Sequence, residues 1–413
     1  MTLLRLMIRV FRSIKKSNNL LKVQKMKKIP FVILIILTIP YVLVSCSSDQ
    51  SSFNYNASSN KLCPERYYED MGFGCSISAN ENYLVATSYD KETYLFKKAD
   101  DIWEEDPTKI NVGYTLNTAM SNKYIAVSYL SSSAKTIIKV LQIMDRSLKE
   151  DLLLENTESD YEELNGNINI SNRHLILGFS PTCPAVSDIS GILIYTKENN
   201  EWKRTGKIDV DSCKDFDLNP VAVTNNFAFL TYEGKNNLKF VRVLNFKNSK
   251  WEHKCDIGTF GYVDLIDANE RYLVIVSSEG DIIKVKPKIF IYELYNDSIG
   301  MDPIIIRDFN NEIQNLKIYN DKLLISEMEA PYFFDNAGTT SNVVLYQIKG
   351  KECLKIAQFL SGSKDIRRLM FKGDWNCDRF GFSIGLNSEY VFIGSPKDEI
   401  QKRNQGSVSV LRY

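Results

Sequence analysis

The sequence predicts an all-β chain, a seven-bladed β-propeller whose ring is closed by an N-terminal strand joining the last blade. Three observations carry that expectation. One phrase stands near both ends with the same spacing: Phe73-Gly74-Cys75-Ser76-Ile77 precedes an apolar run beginning at Tyr83, and Phe380-Gly381-Phe382-Ser383-Ile384 precedes one beginning at Tyr390. Weaker copies lie between them, and self-similarity at this period marks small supersecondary units set side by side. Beyond the first 45 residues, no stretch of useful length carries an apolar stripe at the helical period.

Seven apolar runs are the predicted first strands: 83–87, 124–128, 174–178, 227–231, 272–276, 323–326 and 390–394. Each follows a polar turn, as in Glu81-Asn82, Asn172-Arg173, Asn225-Asn226 and Ser388-Glu389. Turn residues that tolerate left-handed backbone, followed by β-formers, signal a hairpin. The runs are nearly continuous rather than alternating, which suits strands buried on both faces. A second strand follows a variable polar loop, at 93–96, 137–143, 191–196, 238–244, 289–294, 343–348 and 407–413. Several alternate, as in Lys239-Phe240-Val241-Arg242-Val243, and alternation fits a strand nearer solvent. In most units another strand comes next, announced by Trp103, Trp202 or Trp251.

The runs start 41, 50, 53, 45, 51 and 67 residues apart, the length of four-stranded units repeated radially. An open stack would expose its end strands, and a closed ring avoids that. The last unit stops at Tyr413 without an outer strand. Residues 52–66, ahead of the first unit, are expected to supply it.

The N-terminus has a separate logic. The first 28 residues hold nine Lys or Arg and no acid, and residues 29–44 then carry no charge. That run is shorter than the ~20 residues a membrane-spanning helix needs, and Pro30 and Pro40 interrupt it. A basic segment, a short apolar core and a small residue before a cleavage point form a secretory signal. An uncleaved signal anchor is the alternative, and Met26-Lys27-Lys28 is an alternative start. The core ends in Leu43-Val44-Ser45-Cys46, which resembles the lipobox of bacterial lipoproteins. The resemblance implies lipid attachment at Cys46, a membrane anchor, and, with Ser47 after the cysteine, the outer membrane or cell surface. Residues 1–45 would be the signal peptide and 46–68 the lipidated cysteine, a Ser/Asn-rich tether and the ring-closing strand. The propeller would occupy 69–413.

Without the leader, the 51 basic residues fall by nine to 42 against 51 acids, a net charge of −9. No basic stripe is left to neutralise phosphates, so nucleic acid is not an expected partner. Cys63, Cys75, Cys183, Cys213, Cys255, Cys353 and Cys377 remain. An odd number leaves at least one unpaired, and spacing does not assign the pairing.

The Phe-Gly phrase, the strand ten residues on, Gly394-Ser395-Pro396, and Gly406-Ser407-Val408-Ser409-Val410-Leu411 after a polar loop together resemble the FG-GAP repeat. That family builds the β-propeller of integrin α-subunit heads and of many bacterial surface proteins. Units 1, 5 (Phe260-Gly261) and 7 carry the specific resemblance; unit 3 keeps Gly178-Phe179-Ser180-Pro181 without the Phe-Gly. Family blades often hold calcium in the loop after the Gly-Ala-Pro strand. Here unit 7 offers Lys397-Asp398-Glu399 and unit 3 a single Asp188, short of the six to eight oxygens calcium takes. The expectation is therefore no metal and no cofactor. Asp209, Asp211, Asp215 and Asp217 are read as an inter-blade turn, Glu104-Glu105 and Glu162-Glu163 as surface charge, His174 as a core imidazole and His253 as exposed.

No nucleophile elbow, zinc motif or phosphate loop is present. The expected function is a non-catalytic binding, adhesion or scaffolding module for envelope or extracellular protein or glycan. Tyr332, Phe333 and Phe334, in the longest loop of unit 6, are the candidate contact residues, since exposed aromatics beside turn residues suit such contacts. An envelope enzyme with its site in the channel, and a structural subunit of an outer-membrane assembly, are the alternatives.

Overall fold

The structure is a computed structural model. It describes residues 53–56, 61–69, 71–88, 92–106, 110, 112–133, 135–144, 147–155, 162–181, 189–211, 220–233, 239–259, 261–279, 286–307, 309, 311–328, 341–360, 380–398, 400, 402 and 405–413. Two short strands come first, β1 (Phe53–Asn56) and β2 (Lys61–Leu62). Blade 1 is β3 (Ser76–Ala79), β4 (Tyr83–Thr87), β5 (Thr93–Ala99) and β6 (Ile102–Glu105), and blade 2 is β7 (Tyr114–Met120), β8 (Tyr124–Leu130), β9 (Thr136–Ile143) and β10 (Leu148–Leu154). Blade 3 follows with β11 (Glu162–Ile170), β12 (His174–Pro181), β13 (Ile189–Glu198) and β14 (Glu201–Asp211), then blade 4 with β15 (Val221–Val223), β16 (Phe227–Glu233), β17 (Lys239–Lys247) and β18 (Lys250–Gly258). Blade 5 is β19 (Tyr262–Ala268), β20 (Tyr272–Glu279) and β21 (Lys286–Tyr295), edged by β22 (Ser298–Ile299) and β23 (Ile304–Ile306). Blade 6 is β24 (Glu312–Tyr319), β25 (Lys322–Met328), β26 (Ser341–Lys349) and β27 (Glu352–Leu360). Blade 7 is β28 (Ser383–Leu386), β29 (Tyr390–Ser395) and β30 (Ser407–Arg412), with β2 as its outer strand.

First strands pack beside first strands all the way round: β3 by β7, then β11, β15, β19, β24 and β28, which returns to β3. The wheel is closed, and it has the expected seven blades. Its closure is also the expected one. Strand β2 pairs antiparallel with β30, Lys61 opposite Ser409 and Leu62 opposite Val408. Lys61 forms an ion pair with Asp398, whose carboxylate also accepts from Ser407 Oγ at 2.6 Å. Strand β1 has no counterpart among the expected strands: it lies parallel to β27, as a fifth strand on blade 6.

The predicted first apolar runs are the second strand of each blade, and they are the core. Strands β4 and β29 are buried over their whole length. In six blades the residue that opens the run fills the seam to the next blade, whereas Leu323 of blade 6 packs back against blade 5. Tyr390 stands edge-on to Trp103 of blade 1 at 6.0 Å between ring centroids. Tyr124 meets Trp202 of blade 3 at 5.2 Å, and His174 meets Trp251 of blade 4 at 4.8 Å. The Trp-marked outer strands thus lie one blade ahead of the aromatic they cover.

The polar turns need a correction. They were expected to rely on left-handed backbone, yet among the described turns joining first to second strands only Asn320 has positive φ. The other six are held by a side chain. Asn80 Oδ1 accepts from the N–H groups of Asn82 and Tyr83 at 3.0 and 2.8 Å. Ser121, Ser171, Thr224, Asn269 and Asn387 take the two corresponding N–H groups in their own turns. A short side-chain acceptor satisfies the orphaned donors without a strained φ. Left-handed residues instead make the hairpins to the outer strands, at Asp100, Asn199, Asn200, Asn248 and Ser249.

Glycines of the Phe-Gly phrase do bring backbones together. Gly74 has φ +88°, and a Cβ there would stand 2.6 Å from the Ser407 carbonyl oxygen of the preceding blade. Gly381 has φ +83°. Ser383 Oγ donates to the Gly74 carbonyl at 2.7 Å and Ser326 Oγ to the Gly381 carbonyl at 2.6 Å. Unit 3 was read as lacking the phrase, but Gly166 takes the same part, with φ +83° and a bond from Ser128 Oγ at 2.8 Å.

Two outcomes test this account. Deleting residues 50–68 removes β2 and should sharply lower the melting temperature followed by circular dichroism; an unchanged midpoint would contradict closure. Asn80→Ser keeps an acceptor for its own turn but loses the amide bond to Ser121 O, 3.0 Å away in blade 2. Urea titration should show a loss of about 0.5–1.5 kcal/mol for Asn80→Ser and a larger one for Asn80→Ala.

Candidate functional site: the central channel

The seven first strands line a channel along the wheel's axis. On the side of their turns it widens into a cavity of about 230 Å³, whose walls include Asn80, Ser121, Asn172, Asp267 and Glu270. At the opposite mouth a cavity of about 520 Å³ is bordered by Cys75, Asn117, Asp264, Glu312 and Asn315. Lys317 lines both.

Much of this polarity is structural. Ser78, Asn169 and Asp267 each stand two residues before the turn acceptor of blades 1, 3 and 5. Each bonds the backbone of the next blade: Ser78 Oγ donates to Thr118 O at 2.9 Å, Asn169 Oδ1 accepts from Val223 N–H at 3.3 Å, and Asp267 Oδ2 accepts from Ile318 N–H at 2.9 Å. Asn315 Nδ2 donates to Phe382 O at 2.7 Å, carrying blade 6 to blade 7. The turns repeat the pattern on the rim. Asn387 Nδ2 reaches Asn80 O at 3.0 Å, and Asn269 Nδ2 reaches Asn320 O at 2.7 Å. Glu81 and Glu270, the residues after their turn acceptors, reach back to the N–H groups of Ser388 and Asn225 in the preceding blade.

Three carboxyl groups of the channel are perturbed, and burial raises Glu270 against the pull of the Asn225 N–H. Burial is the main influence on Asp267 and pushes its carboxyl above the usual range; Lys317 and the N–H groups of Ile318 and Ala268 pull it part of the way back. Burial also raises Asp264, opposed by the Ser278 hydroxyl and reinforced by the negative charge of Glu312. Asp264 and Glu312 border this mouth from neighbouring blades. Among the described residues no group of three or more His, Cys, Asp or Glu is placed to hold a metal ion.

The residues singled out from sequence fall elsewhere. His174 is a fully buried core imidazole, bonded to Thr196 Oγ1 at 2.9 Å and Asn225 O at 3.0 Å, and burial pulls it down to about 3. His253 is exposed on β18, 3.1 Å from Asp256. Asp398, in the loop where the family resemblance would put calcium, is engaged by Lys61 and Ser407. Cys63, Cys75, Cys255 and Cys353 are free thiols, Cys353 raised to about 12 by burial. Strand β25 ends at Met328 and β26 begins at Ser341, so Tyr332, Phe333 and Phe334 lie outside the described residues, as do Cys46, Cys183, Cys213, Cys377, Asp188, Asp215 and Asp217. Asp264, Asp267, Glu312 and Lys317 were missed. Aligning the units on their turn acceptor exposes one signal, since Ser78, Asn169 and Asp267 share a position that holds Ala119, Ala222 and Gly385 in other blades.

No family model matches the chain, and no curated protein matches it in sequence. Solved structures match in shape. A chain of the crystal structure of the mitotic checkpoint complex is covered over 96% of its length by 87% of this one, at 8% identity and TM-score 0.50. The β-propeller domain of the Trilobed protease from Pyrococcus furiosus is covered over 91% by 81%, at 11% identity and TM-score 0.46. For Pyrococcus horikoshii acylaminoacyl peptidase the figures are 51% and 84%, at 13% and 0.46. Identities this low speak to the fold alone. The chain is a seven-bladed β-propeller.

Asp267 gives a signed test. Its folded pKa lies above the unfolded value, so the penalty for its charge is absent at low pH and grows as pH rises through that interval. Asp267→Asn keeps an acceptor for Ile318 N–H and should equal or exceed the wild type at pH 7–8, with the difference vanishing toward pH 3. Asp267→Ala orphans the N–H and should lose about 1–3 kcal/mol by urea titration.

Proposed function

We propose that the chain is a lipid-anchored protein of the bacterial envelope whose propeller, built from FG-GAP-like repeats, binds protein or glycan without catalysis. One observation carries the binding role. Connections on the turn face are tight, such as Ala79 to Tyr83 and Lys247 to Lys250. Three of those that open on the other face are long: Met328 to Ser341, Ser395 to Ser407 and Leu360 to Ser383. A wheel that places its longest connections on one face offers a surface for contact there. Tyr332, Phe333 and Phe334 belong to the first of these connections and are the contact residues in this reading. Anchoring rests on the basic leader, the apolar run and Cys46. The Asp398–Lys61 pair supports a role that does not use calcium.

A channel enzyme is the second reading, favoured by the raised Asp264 beside Glu312. Release of new sugar ends or peptide amines from envelope extract by the wild type, and not by Asp264→Asn, would establish it. For the first reading, replacing Tyr332, Phe333 and Phe334 together by Ala should reduce capture of envelope components at least tenfold while leaving the melting temperature unchanged. Cys46→Ser should move the protein from the detergent phase to the aqueous phase; continued retention in detergent would refute lipidation.

A further inference from the structure

Outer strands of a propeller are unpaired edges, and most of these are defended by charge. Strand β14 carries Lys203, Arg204, Lys207, Asp209 and Asp211; β18 carries Lys250, Glu252, Lys254 and Asp256; β6 ends in Glu104-Glu105. Strand β10 has Lys149, Glu150 and Asp151 and a bulge between Glu150 and Leu152. Charges and bulges of this kind prevent strand addition. Strand β27 differs. Its last five residues, Ile356-Ala357-Gln358-Phe359-Leu360, form the longest uncharged run on any described outer strand. That is where β1 lies, with Phe53 opposite Ala357, Asn54 opposite Gln358, Tyr55 opposite Phe359 and Asn56 opposite Leu360.

We propose that this end of β27 is a strand-accepting edge, filled in cis by residues 53–56 and open to the same segment of a second copy of the chain. Three features favour exchange. The cis strand is only four residues long. It pairs in the parallel sense, the weaker of the two ladders per residue. It also lies outside β2 in the chain, so it can leave without releasing β2 from β30. Main-chain bonds supply the affinity in such strand addition, and the missing charges on β27 admit the incoming strand. The proposal uses the fold alone and is independent of lipid anchoring.

The probe is a fluorescein-labelled peptide of residues 50–58, and the protein is a chain beginning at residue 58, which retains β2. Fluorescence anisotropy should rise saturably, and the domain of residues 47–413 should bind at least tenfold more weakly because its edge is already filled. The peptide with Asn54→Pro and Tyr55→Pro, which lacks ladder donors, should not bind. A cooperatively melting truncated protein that fails to bind the wild-type peptide would overturn the proposal, and so would equal binding of the proline peptide. Should the truncation not fold, the 47–413 domain with Asn54→Pro and Tyr55→Pro in its own tether replaces it. That protein keeps its full length and must take up the wild-type peptide for the proposal to stand.

Discussion

Each blade is a sheet with two faces to bury, and apart from the backbone bridge between Phe73 and Gly406 it is held to its neighbours chiefly by side chains. The interior of each seam is apolar: Tyr83, Tyr124, Tyr272 and Tyr390 lie in four different clusters, each drawing on two adjacent blades. Burial of that kind is strong but does not specify direction. Around the axis and along the turn rim, direction comes from hydrogen bonds that run from a side chain of one blade to the backbone of the next. These bonds satisfy backbone groups that a free-standing sheet edge would leave open, and they fix how far each blade rotates against the last.

That division of labour explains which parts of the wheel were legible in the sequence. Apolar runs announce themselves because a strand buried on both faces, such as β29, has no position to spare for a polar residue. The blade count and the closing strand followed from those runs and from the missing outer strand at Tyr413. The inter-blade bonds were invisible for the opposite reason. Ser78, Asn169 and Asp267 do one job with three chemistries, so no recurring letter marks it. The turn acceptors are likewise Asn in some blades and Ser or Thr in others, and their neighbours suggested left-handed backbone that the side-chain bonds render unnecessary. Strand β1 was illegible because four residues of tether acquire meaning only beside an uncharged edge more than 300 positions away.

For the channel, a polar lining is not in itself a site. Asp267 and Asn169 are spent on neighbouring backbone, and among the described residues of the channel only the mouth with Asp264 and Glu312 keeps carboxyl groups without a backbone bond between blades. In the binding role proposed above, the long connections on that same side would make the contact. Glycines such as Gly74 and Gly381 matter to this only indirectly, by letting each blade approach the last closely enough to keep the face rigid.

The order of the first two strands along the chain sets a path for mechanical load. A pull arriving from the N-terminal side reaches residues 53–56 before it reaches Lys61 and Leu62. Tension therefore shears a short ladder on blade 6 first, while the pairing that completes blade 7 stays slack behind it. If the outer ladder leaves as proposed, the ring would still be closed by β2 on β30.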